Sequence, residues 1–137
     1  MPNSYTPVHI HFVWATFDRK PLLLAKWENR LHGAIGKKCE DLRAQLLALN
    51  SMPDHMHVLV RLPATVSLAQ MVMHLKGATS HLINSQMQPR VKFQWQGAYA
   101  AFCVCEDGLD AVCSYIRNQK RHHRDNTINP EWECPEE

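Results

Sequence analysis

The sequence predicts one α+β domain of ferredoxin-like (RRM-like) architecture, a βαββαβ antiparallel sheet with helices on one face plus a C-terminal helix. Three observations predict it. Apolar residues recur with the two-residue period of strands in some segments and the 3.6-residue period of helices in others. The segments follow the order βαββαβα, the split βαβ pattern with one added helix. The chain has 137 residues, 45% hydrophobic and 20% charged, the size and composition of a single globular domain. That domain spans residues 1–137, with a core over about 8–124 and a loose tail over 125–137.

Val8 to Thr16 (VHIHFVWAT) is β-branched and aromatic without Gly or Pro, so it reads as a strand. Asp18-Arg19-Lys20-Pro21 ends it. Leu23, Trp27, Leu31, Ile35, Cys39 and Leu42 follow at helical spacing, which predicts a helix over about 22–42. Gln45 to Ser51 reads as a short strand. Met52-Pro53-Asp54 is a turn, since Pro53 removes a ladder donor and Asp suits a turn position. His55 to Leu62 alternates and stops at Pro63, so it is a strand. Ser67 caps a helix reaching about Met87, with Leu68, Met71, Val72, Leu75, Leu82 and Ile83 along its apolar stripe. Residues 89–96 form a loop and Tyr99 to Cys105 a fourth strand. The last helix starts near Asp107 and continues to about His123. Pro130 and Pro135 mark the tail.

Composition excludes several classes. No apolar run approaches the roughly 20 residues of a membrane span, and the N-terminus lacks the basic-then-apolar pattern of a signal peptide. A cytoplasmic protein is expected. The five cysteines are odd in number and form no Cys-x-x-Cys pair, which argues against a disulfide scaffold or a zinc knot. The formal charge is only +2, but Arg117, Lys120, Arg121 and Arg124 gather with His122 and His123 in one short stretch. A local basic patch binds phosphates even in a near-neutral chain.

Two constellations carry chemistry. His55 and His57 lie two apart on a strand, so they share a face with Leu59 and Arg61, while Met56, Val58, Val60 and Leu62 form the opposite, apolar face. Two neighbouring imidazoles can chelate a divalent metal, with a third ligand drawn from elsewhere. His9 and His11 form a second pair on the first strand, expected to be bystanders. On the last helix, Leu109, Val112, Cys113, Ile116 and Lys120 fall on one stripe, and Tyr115, Gln119 and His122 on the next. If the apolar stripe packs on the sheet, the phenol and the amide can face the histidine pair. A phenol with a pKa near 10 needs activation before it attacks, and a divalent cation beside a phosphate polarises the phosphorus. Gln119 can supply an amide oxygen as a ligand. Arg117, Lys120 and Arg121 can hold neighbouring phosphates.

Taken together, HIHFVWAT, SMPDHMHVLVRLP, SLAQMVMHLKGATSHLIN, FQWQGAYAAFCVCE and LDAVCSYIRNQKRHH resemble the single-tyrosine HUH transposase family, where U is a hydrophobic residue. That family includes single-strand insertion-sequence transposases and REP-associated tyrosine transposases. The likeness spans about residues 8–124, and the Pro-Asp-His-x-His run followed by Tyr-Ile-x-Asn-Gln is its most specific part. The resemblance implies that His55 and His57 bind Mg2+ or Mn2+, with Gln119 as third ligand and Tyr115 as nucleophile. It implies cleavage and rejoining of hairpin-bearing single-stranded DNA through a 5′-phosphotyrosine, without a nucleotide cofactor. It also implies a homodimer in which the tyrosine can serve the partner's histidines. Where relatives carry a Thr-Lys-x-Arg run, this chain has Thr16-Phe17-Asp18-Arg19, which keeps Arg19 as a DNA contact and lacks the lysine.

Two rival readings stand beside this one. A non-catalytic nucleic-acid-binding module would stack bases on exposed sheet aromatics, but Phe12 and Trp14 share a face with Ile10 and should point to the core. A metal-dependent hydrolase would need a carboxylate base near the histidine pair, and the nearest one, Asp54, belongs to the turn.

Overall fold

The computed structural model describes residues 5–133. Four strands form one antiparallel sheet: β1 (Val8–Ala15), β2 (Gln45–Met52), β3 (His55–Leu62) and β4 (Ala100–Val104), in the order β2-β3-β1-β4. This is the ferredoxin-like arrangement expected of the sequence. Helices α1 (Glu28–Asp41) and α2 (Leu68–Gln86) cover one face, and α3 (Leu109–Arg117) and α4 (Gln119–Asp125) follow β4. No helix among the described residues is long and apolar enough to cross a membrane.

The main core lies between the sheet and the first two helices. Ile10, Phe12 and Trp14 of β1 and Met56, Val58 and Val60 of β3 meet Leu31, Ile35 and Cys39 of α1 and Met71, Val72, Leu75 and Ile83 of α2. The aromatic residues of β1 are thus core, and Phe12 and Trp14 have no exposed surface to stack a base on. Ser67 starts α2 with a full capping box: its hydroxyl accepts from the Gln70 N–H at 3.1 Å, and its own N–H donates to the Gln70 side chain at 2.9 Å.

A smaller core on the other face seats α3. Leu59 of β3 and Ala48 of β2 pack with Val112 and Ile116, flanked by Leu109, Cys113 and Trp132. The β2–β3 register shifts between Leu46 and Ala48, leaving Leu47 as a bulge residue. Its carbonyl accepts a hydrogen bond from Arg117 at 3.2 Å, which ties the end of α3 to the edge of the sheet.

Three expectations need correction. Residues 22–24 are not helical. Leu24 is extended, a single 3-10 turn covers Ala25–Trp27, and α1 begins at Glu28. The extended segment hydrogen-bonds to the turn after β2, Leu23 N–H to the Pro53 carbonyl at 2.9 Å, and Leu23 is buried by it. The C-terminal helix is broken at Asn118 (φ −101°, ψ 21°), a residue whose short amide competes for backbone groups and here donates to the Ser114 carbonyl at 2.8 Å. The described part of the tail, as far as Glu133, is not loose. Asn126 ends α4 in the left-handed conformation (φ 57°, ψ 42°), tolerated best by Gly and Asn. A 3-10 turn at Pro130–Trp132, capped by Asn129, then brings the chain back over α3. Cys134, Pro135, Glu136 and Glu137 lie outside the described residues.

Leu59 has no exposed surface and packs with Val112 and Ile116 in the apolar seat of α3. Leu59→Ala is expected to cost about 2–5 kcal/mol of stability, as other buried leucine truncations do, measured by urea denaturation. A cost within about 0.5 kcal/mol, the range of exposed sites, would show that α3 does not depend on this seat.

Candidate active site

The two-residue pleat of β3 carries His55 and His57 to the face that α3 covers, and both are buried. Their rings lie 5.0 Å apart at 72°. Each ring is turned by a partner on Nδ1. His55 Nδ1 donates to Asp54 Oδ1 at 2.7 Å, and Asp54 sits 3.7 Å from the Arg19 guanidinium. The hydrogen bond from His55 chiefly holds the Asp54 carboxyl below its ordinary range, against its partial burial. His57 Nδ1 bonds His11 Nε2 at 2.9 Å, and the two rings stack 5.1 Å apart. Burial, and next the neighbouring His57, push the His11 pKa down to about 3, so His11 is neutral. Burial also lowers the pKa of His57, against the opposing pull of Glu133.

With both Nδ1 atoms engaged, the Nε2 atoms face a common point. Both are buried without a hydrogen-bond partner among the described residues. Glu133 of the returning tail stands there. Its Oε1 lies 3.2 Å from His57 Nε2 and 3.5 Å from His55 Nε2, close but not aligned as hydrogen bonds. Tyr115 donates its hydroxyl to Glu133 Oε2 and accepts the Asn129 N–H at 3.0 Å. Burial would raise the Glu133 pKa, but pairing with His57, helped by Tyr115 and His55, outweighs it and holds the carboxyl at about 2. The Tyr115 phenol is pushed up to about 12, first by burial and then by its bond to Glu133. Its ring stacks on His122 at 4.7 Å, meets Trp132 edge-on at 5.1 Å and lies 6.1 Å from the ring of His57.

Of the residues singled out in the sequence, His55, His57 and Tyr115 come together. Gln119 is buried one turn from Tyr115. Its Oε1 accepts from His123 Nε2 at 3.0 Å, and the His123 ring packs 5.0 Å from that of His55. The Gln119 amide also reaches Tyr115, where its hydrogen bond opposes the rise of the phenol pKa. Arg121 is exposed at the surface of α4. Arg117 is bound to the Leu47 carbonyl, Arg19 is beside Asp54, and Lys120 contacts Glu28, Asn50 Oδ1 (2.8 Å) and the Ser51 carbonyl (3.3 Å). His11 is not a bystander, since it holds the ring of His57. Glu133 and Asn50 were not singled out at all. Asn126 as a helix stop and Asn129-Pro130 as a turn signal were the available hints that the tail reverses.

His55, His57 and Glu133 offer two imidazole nitrogens and a carboxylate oxygen, all within 4.8 Å of one another. Two buried ring nitrogens without a hydrogen-bond partner, facing a carboxylate, are a donor set that fits a divalent cation. One polar cluster thus places a phenol hydroxyl, a candidate cation site and a basic helix side by side.

The fold has counterparts among solved structures. No curated protein sequence matches the chain significantly. A candidate transposase from Deinococcus radiodurans R1 has a similar structure, with a TM-score of 0.66 and 25% identity, covering 87% of this chain and 96% of that one. A REP-associated tyrosine transposase bound to a REP hairpin shares the fold, with a TM-score of 0.68 and 18% identity, covering 90% of this chain and 72% of that one. The sequence family described as "Transposase IS200 like" matches residues 4–119, a stretch that takes in His55, His57, Tyr115 and Gln119. With most of its length matched, the chain belongs to the IS200-like transposase family.

Proposed function

We propose that this transposase cleaves and rejoins single-stranded DNA by covalent attachment of a 5′ phosphate to Tyr115. The observation that carries the reading is the convergence of the Tyr115 hydroxyl and both histidine Nε2 atoms on one carboxylate. With a cation held by the two nitrogens, an anionic oxygen would be favourable at that point, and a phosphodiester oxygen has the same charge sign and acceptor character as the carboxylate. In the reaction the Tyr115 Oη–phosphorus bond forms and the phosphorus–O3′ bond breaks. The phenol loses its proton and the leaving 3′ oxygen gains one. One phosphodiester replaces another, so no nucleotide is consumed, and a free 3′-hydroxyl can reverse the step on a phosphotyrosine.

His55 and His57 would hold Mg2+ or Mn2+ through Nε2. Glu133 is the oxygen donor among them, and Gln119 is the further oxygen donor expected from the sequence. When bound, such a cation supplies charge neutralisation and polarisation of the scissile phosphate. The chain's own residues do the positioning: Asp54 and His11 hold the imidazoles, while His122 and Trp132 clamp the Tyr115 ring. Arg117, Lys120, Arg121 and Arg19 supply positive charge for the flanking DNA. Hairpin DNA is the proposed substrate, as in the complex of the REP-associated relative. Two chains would pair in the working enzyme, each carrying a complete set of these groups.

Glu133 also puts a carboxylate beside the histidine pair, the group that a water-activating hydrolase would require. Its chemistry opposes that role. A carboxyl held at about 2 is a weak base, and it is already engaged by the tyrosine hydroxyl.

Incubation of the protein with labelled hairpin single-stranded DNA and Mn2+ should give a shifted, protease-sensitive band on a denaturing gel that is absent in Tyr115→Phe. Release of a free 5′ phosphate with no covalent species would overturn the tyrosine mechanism. Calorimetric titration with Mn2+ should show one site that is lost in His57→Ala. His11→Ala and Asp54→Asn should weaken it by about 10–100-fold, the usual effect of removing a partner that orients a ligand. Wild-type affinity in these folded variants would show that the Nδ1 bonds do not set the ligands.

A further inference from the structure

We infer that Asn50 is the positioning residue that locks Tyr115 over its own chain's histidine pair. The inference rests on the proposed role of Tyr115 as nucleophile. Asn50 stands on β2 directly across from His57 in the β2–β3 ladder, so its side chain shares the face that carries the histidines. It is a buried amide with every hydrogen-bonding position used. Nδ2 donates to the Ile116 carbonyl at 3.0 Å and to the Arg117 carbonyl at 3.1 Å. Oδ1 accepts from Lys120 Nζ at 2.8 Å and from the Ser51 N–H at 2.9 Å. Two donors and two acceptors are the full capacity of the side chain.

The two carbonyls it takes are the last of α3, one and two residues beyond Tyr115, at the break at Asn118. The carbonyls of a last helical turn lack partners within their own helix. A buried partner at this point both removes that cost and selects where the helix ends. The apolar seat formed by Leu59, Ala48, Val112 and Ile116 presses α3 onto the sheet, but burial of apolar area has no direction. It leaves the helix free to slide or turn about its axis. Hydrogen bonds are directional, and the pair from Asn50 fixes α3 against the rung that contains His57. Lys120, held by the other end of the same amide, fixes the first turn of α4 and carries the link on to Glu28 at the start of α1. The tyrosine helix is therefore bolted to its own sheet on both sides of the break.

The test compares full-length wild type with Asn50→Ala and Asn50→Asp. The aspartate keeps the shape and the acceptor for Lys120 but presents an oxygen to the two carbonyls. Single-turnover formation of the Tyr115–DNA adduct is measured at saturating hairpin DNA with Mn2+, together with the Kd for that DNA. Both variants are expected to form adduct on the order of 10²-fold more slowly, the effect of a misplaced reacting group, with the Kd unchanged. Ser51→Ala, a neighbour on β2 that leaves the Asn50 bonds in place, is expected to keep the wild-type rate. Hydrogen exchange of the peptide covering 112–121 is followed in parallel and should be faster in both Asn50 variants. Folded Asn50 variants with wild-type rate and wild-type exchange would overturn the inference, as would an equal loss in Ser51→Ala. A wild-type protein that forms no adduct would instead overturn the tyrosine mechanism, and the exchange measurement then decides the Asn50 lock by itself.

Discussion

The pleat of β3 divides the molecule. Met56, Val58 and Val60 leave the strand on one side and are buried by α1 and α2, while His55, His57 and Leu59 leave on the other. A slip of one residue in this register would place two imidazoles in the main core and three apolar side chains over the tyrosine. Neither face could then be satisfied. The large core on one side thus fixes the geometry of the polar cluster on the other. Leu59 lies on the histidine face and, with Ala48, seats α3 there.

Placing two histidines under a helix carries a cost, since buried ring nitrogens must find partners. The protein meets half of that demand. Asp54 takes the Nδ1 of His55, and His11 takes the Nδ1 of His57. The remaining Nε2 atoms are left facing one carboxylate at 3.2 and 3.5 Å. In a site built only for stability, apolar residues of similar volume would serve as well or better. Unsatisfied nitrogens held in a fixed orientation are what a ligand site requires, and they support the proposed cation site.

How much of this could be read in the sequence follows from the range of each signal. Alternation in β3 and the helical spacing of Val112, Tyr115, Ile116 and Gln119 are local, and they named the correct faces. Strand order and the apolar roles of Phe12 and Trp14 followed from the same periods. What escaped was pairwise and long-range. His11 is 46 residues from His57, and Asn50 is 66 from Ile116. Periodicity says which way a side chain points but not what another strand brings to meet it. Glu133 escaped for a different reason. A polar tail with two prolines has the composition of a solvated end, and only the left-handed Asn126 and the capped turn at Pro130 reverse it. The break at Asn118 was missed, although the signal was local: Asn is a poor helix former that competes for backbone carbonyls.

The electrostatics of Tyr115 and Glu133 limit how the nucleophile can be made. The phenol stands at about 12 and the carboxyl at about 2, so the hydrogen bond between them leaves the proton firmly on the tyrosine. Glu133 can orient the hydroxyl but is far too weak a base to deprotonate it. The burial that raises the phenol also removes water as a competing acceptor. On the proposed mechanism, activation would come with the substrate and the cation, whose charge near the phenol oxygen would favour the phenolate. That oxygen is already held by the Asn129 N–H, a donor that stabilises negative charge as it develops. A tyrosine inert by itself and competent only once phosphate and metal arrive would suit the proposed mechanism, in which the nucleophile must not react without its DNA.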